Sequence, residues 1–230
     1  MTGASCSGAA VAFALSALML CGPLRAETLA CTGGNVTVSA DSRELAVAAC
    51  DALTSARAAL AECGLEASRP IAVSIVDAPA HPQFGACMGV FDARNDCIDV
   101  ADPARYPDLL SEGDARRELP SDIVFRGTIA HELAHALVAQ NADAAMIAPA
   151  DHEFIASVFE MDAYGEEARA ILLAADPVRP KGSRDMVNPG IYALAPRVFA
   201  NNAWQLFQAA EDGCGLVRSI LRLDVSLSFR

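Results

Sequence analysis

The chain has 230 residues, is 53% hydrophobic, and carries 29 acidic against 17 basic residues for a formal charge of −12. That balance argues against nucleic acid or an anionic membrane surface as a partner, since both would be repelled. Only one basic residue, Lys181, is a lysine, a bias with no functional reading.

Residues 8–20 form an uncharged, mostly apolar run. It is short for a bilayer span, which needs about 20 residues, and suits the core of a secretory signal peptide. Leu24-Arg25-Ala26 then ends on a small residue where cleavage could fall. No Lys or Arg precedes the run, so an uncleaved anchor is the alternative. Residues 1–26 therefore read as a signal peptide and 27–230 as one domain, secreted or periplasmic, without a membrane contact after signal removal. Six cysteines remain in it: Cys31, Cys50, Cys63, Cys87, Cys97 and Cys214. An even count in an exported chain implies up to three disulfides.

Residues 35–39 alternate as a short strand, and 43–63 are rich in Ala and Leu and read as a helix ending at Gly64. Ile71 to Val76 is apolar and β-branched, a buried strand. Strands at about 86–91 and 96–100 flank Asp92-Ala93-Arg94-Asn95, a hairpin with Cys87 and Cys97 on its two arms. A Cys87–Cys97 disulfide across it is expected. Residues 103–120 are polar and broken by prolines. Ser121 can cap a helix over about 122–140, and Asp151 a second one from Pro149 to about Tyr164, stopped by Gly165. Further helices are expected over 166–175, 190–210 and 214–222. Strands first and helices later make an α+β domain.

The helix at 122–140 contains His131-Glu132-Leu133-Ala134-His135. Histidines four apart share a helix face, separated by about 40° and ~6 Å of rise. Two imidazoles can thus grip one metal ion. Glu132 is rotated about 100° from His131 and about 60° from His135, so it can stand beside the ion and take a proton from its water. The frame of Leu133, Ala134, Ala136 and Leu137 is apolar. A buried His-Glu-His set without a ligand would be costly.

A catalytic zinc site needs a third protein ligand. The pattern H-E-x-x-H-x-x-G-x-x-H fails, because Val138 and Asn141 stand where glycine and histidine are needed. On the second helix Phe154, Ile155, Val158 and Phe159 form a core-facing stripe, and Glu153 begins another that continues through Ser157, Glu160 and Tyr164. Glu153 could reach the metal if the two helices pack. Glu160, His152 and Asp162 are the other donors. His81, beside Pro82, reads as a surface residue.

Over 121–164 the chain resembles the gluzincins, the thermolysin-like zinc metallopeptidases. In these, H-E-x-x-H supplies two histidines and a glutamate about twenty residues on completes the set. The gap from His135 to Glu153 is of that kind. The resemblance implies a zincin-like fold with a small mixed sheet before the metal helix. It implies one catalytic Zn2+ on His131, His135 and Glu153, Glu132 as general base, and a peptide or protein substrate extended along a sheet edge at 84–100. Two departures stand out. Ser157 occupies the place of the aspartate that steadies a ligand histidine in the family, leaving Glu160 or Asp162 to serve. No histidine follows His152, so Tyr164 and Tyr192 are the candidates for polarising the substrate oxygen. These departures also admit a second reading, a zinc-stabilised binding or scaffold protein without catalysis. Segments 103–120 and 176–190 could line a cleft, although ordinary surface loops are the plainer reading.

Overall fold

A computed structural model describes residues 27–81, 85–142 and 146–228. The expected signal peptide lies outside the described residues, and so does the side chain of His81. The chain builds a small mixed sheet first and a helical half afterwards, an α+β architecture. Strands β1 (Glu27–Ala30) and β2 (Val36–Ala40) form a hairpin, α1 (Arg43–Glu62) crosses back, and β3 (Ile71–Val76) lies parallel to β2. A two-residue pair, β4 (Ala80–His81) and β5 (Gly85–Ala86), precedes the hairpin of β6 (Gly89–Asp92) and β7 (Cys97–Ala101). The five-stranded order is β1-β2-β3-β7-β6, with β7 parallel to β3 and β6 antiparallel on the outer edge.

Burial alternates along β2 and β3, so one face of the sheet is covered and the other is not. The covered face packs on α1 and on α3 (Ser121–Asn141), which also touch each other. Short α2 (Tyr106–Leu109) lies between β7 and α3. Then follow α4 (Pro149–Ala163), α5 (Gly165–Ala175), α6 (Pro189–Leu194), α7 (Pro196–Ala209) and α8 (Gly213–Leu221). Helix α4 packs along α3 and is backed in turn by α7. Among the described residues no helix is long and apolar enough to cross a membrane.

Several expectations need correction. The disulfides are Cys31–Cys50 and Cys63–Cys214, not Cys87–Cys97. In the β6–β7 register Cys97 faces Asp92. Cys87 lies on the order of 15 Å further along the chain, far beyond the ~7 Å that a disulfide spans between Cα atoms. Its Sγ instead lies 3.5 Å from the carbonyl oxygen of Pro79. Ser121 is the first residue of α3 rather than its cap, which falls on Pro120. Likewise Asp151 does not cap α4, because Pro149 already holds the first helical position. Its buried carboxylate accepts bonds from Ser226 Oγ at 2.6 Å and from the backbone N–H of Leu227 and Ser228 at 3.0 and 3.1 Å. The helix expected over 190–210 is two helices, because Pro196 has no N–H to continue α6.

Candidate metal centre

Helix α3 is buried along most of its length, including Leu133, Ala134, Ala136 and Leu137. Its polar side chains therefore point where α4 and β6 leave room. Glu153 and Glu160 are seven residues apart on α4, about 20° short of two full turns, so both carboxylates face α3. Phe154, Ile155, Val158 and Phe159 fill the core around them as their periodicity predicts.

The structure brings His131, His135 and Glu153 together. The two Nε2 atoms are 3.1 Å apart, and Glu153 Oε2 lies 3.5 Å from one and 3.6 Å from the other. A tetrahedral ion with bonds of ~2.0–2.1 Å sets its ligands about 3.3 Å from one another, close to all three edges. Among the described residues these three are the group that could hold a metal ion. Glu153 Oε2 is buried and has no hydrogen-bond partner among the described residues, a costly state for a carboxylate oxygen that one cation would relieve. The electrostatics point the same way. Burial works against a charged His131, yet Glu153, Glu160 and Glu132 outweigh it and hold its pKa up to about 10. Burial also opposes the charge on Glu153, but the two histidines bring its pKa well below the ordinary carboxylate value. The site is built to hold positive charge.

Each histidine has a partner behind it. Glu160 Oε2 stands 3.4 Å from His131 Nδ1, within ion-pair reach but without hydrogen-bond geometry. Glu160 is fixed in turn by Arg197, whose Nη1 and Nη2 donate to its two oxygens at 2.8 and 3.1 Å, and by the Tyr164 hydroxyl at 2.6 Å. Burial would raise the Glu160 pKa, but Arg197 and His131 outweigh it and keep the carboxylate ionised. Of Glu160 and Asp162, Glu160 is the one that reaches His131. Asp162 instead lines a separate cavity against Ala52 and Ala56 of α1. The ring of Tyr164 lies over Gly127, where a Cβ would collide with it, so this tyrosine is part of the core. His152 stacks on His135, their Nδ1 atoms 2.7 Å apart. With His135 Nε2 turned to the metal position, His135 Nδ1–H donates and His152 accepts, leaving the His152 proton on Nε2. Burial and the neighbouring His135 push the His152 pKa down to about 3, consistent with a neutral ring.

Glu132 stands outside the ligand set. It is 7% exposed and lies against Gly89 of β6 so closely that a Cβ there would be 2.6 Å from its Cγ. Burial raises its pKa, the direction that suits a general base near neutral pH. Tyr192, from α6, lines the same cleft as Glu132. Burial and the nearby Glu153 push its phenol pKa up, so it is a hydroxyl donor.

These groups open on one cleft running along β6 and α3. One part, about 460 Å3, is lined by Val90, Phe91, Ala139, Ile147 and Pro149. The other, about 270 Å3, is lined by Leu109, Arg116, Thr128, Pro196 and Arg197. Cys87, Gly89, His131, Glu132 and Tyr192 line both. Segment 103–120 thus reaches the cleft through Leu109 and Arg116. Sequence reasoning missed Gly89, Arg116 and Arg197. The one signal available was Arg197, a lone charge opening the otherwise uncharged run of α7. No curated protein and no solved structure matches the chain. A family model described as a family of unknown function matches residues 36–230, and the chain belongs to that family, DUF6639.

Proposed function

We propose that the protein is an exported zinc-dependent metallopeptidase of zincin-like fold. One observation carries this reading. Three donor atoms converge with tetrahedral spacing, while a second carboxylate, Glu132, shares their cleft without joining them. His131 and His135, through Nε2, and Glu153, through Oε2, would hold the ion. A zinc ion there would acidify a water and polarise a carbonyl. Glu132 accepts the proton of the attacking water and returns it to the leaving amine. The Tyr192 hydroxyl donates to the oxygen that gains charge. The outer edge of β6 offers backbone N–H and C=O groups to an extended peptide, as an unpaired edge strand does. Export is supported by the two disulfides.

The two departures that favoured a scaffold without catalysis are met by other residues. Glu160 stands behind His131 in place of an aspartate at position 157, and Tyr192 supplies a hydroxyl where the family can use a histidine. The test is Glu132→Gln. The variant should keep one equivalent of zinc and lose ~10²–10⁴-fold in casein or peptide cleavage, and a chelator should abolish wild-type cleavage. Full activity in Glu132→Gln, or no cleavage by wild-type protein holding one zinc, would overturn the reading.

A further inference from the structure

We infer that the cleft beyond Glu132 is a carboxylate-binding subsite built on Arg116 and Arg197. The peptide it takes would then carry an anionic group about one residue from the bond cleaved. The inference rests on the peptidase reading and adds the substrate class to it.

The two ends of the cleft differ in kind. Walking along α3 from Ala139 through His135 and His131 to Thr128, the residues facing it change from Ile147 and Pro149 to Arg116 and Arg197 with their partner Glu160. On the strand side, Phe91 and Val90 of β6 line one part and Met88, just before β6, lines the other, so that wall stays apolar throughout. His131 and Glu132 line both parts, whereas His135 and Glu153 line the first alone.

Both guanidinium groups are largely buried, their side chains 16% and 17% exposed. Each is locked by a carboxylate. Asp114 engages Arg116 through Nε and Nη2, at 3.0 and 2.6 Å to its two oxygens. This leaves Arg116 Nη1, whose distance of 3.7 Å to Glu160 Oε1 is beyond hydrogen bonding. Glu160 engages both Nη atoms of Arg197, and Arg197 Nε has no hydrogen-bond partner among the described residues. A guanidinium has five N–H donors; Arg197 Nε is itself buried, so the donors left for a ligand are those of Arg116 Nη1 and the second hydrogens of the Arg197 Nη atoms. Arg116 and Arg197 are balanced by Asp114 and Glu160, and Glu132 is the further carboxylate on this part of the cleft, in a chain whose overall charge is −12. Rigid planar forks held in advance by ion pairs are suited to a carboxylate and lose little freedom on binding one. Because Glu160 also touches His131, the subsite adjoins the metal ligands directly.

The carboxylate can come from an acidic side chain or from the terminus of the substrate. Binding to zinc-loaded Glu132→Gln protein, in which cleavage is suppressed, separates the two. The first probe pair is acetyl-Ala-Leu-Phe-Glu-Ala-amide and its Gln counterpart. The second is acetyl-Ala-Leu-Phe-Ala with a free carboxylate and the same peptide as its amide. In at least one pair the acid should bind about tenfold more tightly than its neutral partner. Adding Arg116→Gln should bring that ratio close to one, and Arg116→Lys should leave it intermediate. A preference in the first pair assigns a side-chain subsite, and one in the second assigns a terminal-carboxylate subsite. Ratios within twofold in both pairs would overturn the inference whether or not Arg116→Gln folds. If wild-type protein then still cleaves the neutral peptides, the peptidase reading stands without the subsite. A carboxylate preference in a protein that cleaves nothing would keep the subsite and remove the peptidase reading.

Discussion

Replacing Gly89 by alanine probes the contact that fixes the proposed base. The added Cβ would lie 2.6 Å from Cγ and 2.7 Å from Oε1 of Glu132. Carbon atoms meet comfortably at ~3.5–4.0 Å, so strand or side chain must move by about 1 Å. Neither is free to do so cheaply. Gly89 is paired opposite Val100, and the neighbours of Glu132 on α3, Leu133 and Ala134, are fully buried. Overpacking of this kind costs ~1–3 kcal/mol, which for a domain of this size lowers Tm by about 2–4 °C per kcal/mol. Displacing the base by about 1 Å should cost ~10²-fold in kcat/KM. The assay is peptide cleavage together with calorimetric Tm and zinc content, which should stay at one equivalent. A double-mutant cycle with Glu132→Ala isolates the clash. Once the carboxylate is gone, the alanine should cost little, giving a coupling of ~0.5–3 kcal/mol. Wild-type Tm and wild-type kcat/KM in Gly89→Ala would refute the placement of Glu132 against β6.

Further outcomes follow from the same geometry. Glu160→Gln removes the charge behind His131 and should weaken zinc binding about 10–100-fold in chelator competition; unchanged affinity would show that His131 needs no carboxylate. At Asp114, burial works to raise the pKa, but the paired Arg116 outweighs it and holds the group below its ordinary 3.8. A depressed carboxylate stabilises the fold above its unfolded pKa and loses that contribution as pH falls through the folded value. Metal-free protein should therefore lose stability on acidification below about pH 4, and Asp114→Asn should flatten that slope in urea titrations; parallel slopes would contradict the ion pair. The Cys63–Cys214 bond closes a longer loop than Cys31–Cys50, with separations of 151 and 19 residues. Chain entropy puts their contributions at about 5 and about 3 kcal/mol, so Cys63→Ser/Cys214→Ser should melt lower than Cys31→Ser/Cys50→Ser, and the reverse order would rule out an entropic origin.

What could be read from the chain was what repeats locally. The spacing of His131 and His135 put two imidazoles on one face without knowledge of the fold, and the stripe from Phe154 to Phe159 aimed Glu153 at them. Strand β3 was legible because an apolar, β-branched run has few other places to go. The failures share a cause, dependence on register or on distant partners. Cys87 and Cys97 flank a hairpin, and only its pairing, which sets Cys97 opposite Asp92, reveals that they cannot meet. Asp151 has the chemistry of a cap, but its partners are more than seventy residues away at Ser226 to Ser228. Glu160 could be placed on the right face, yet its ties to Arg116 and Arg197 leave no local trace. The importance of Gly89 comes from what the neighbouring helix brings against it.

The Cys63–Cys214 bond encloses both helices of the candidate metal centre, the β6 edge and the two arginines in one covalent ring. A single cut in the stretch between α5 and α6 would separate His131, His135 and Glu153 from Tyr192 and Arg197 along the backbone, yet the pieces would stay tethered. Such a nicked molecule would migrate as one band until a reductant parted it, and both banks of the cleft would remain within reach of each other.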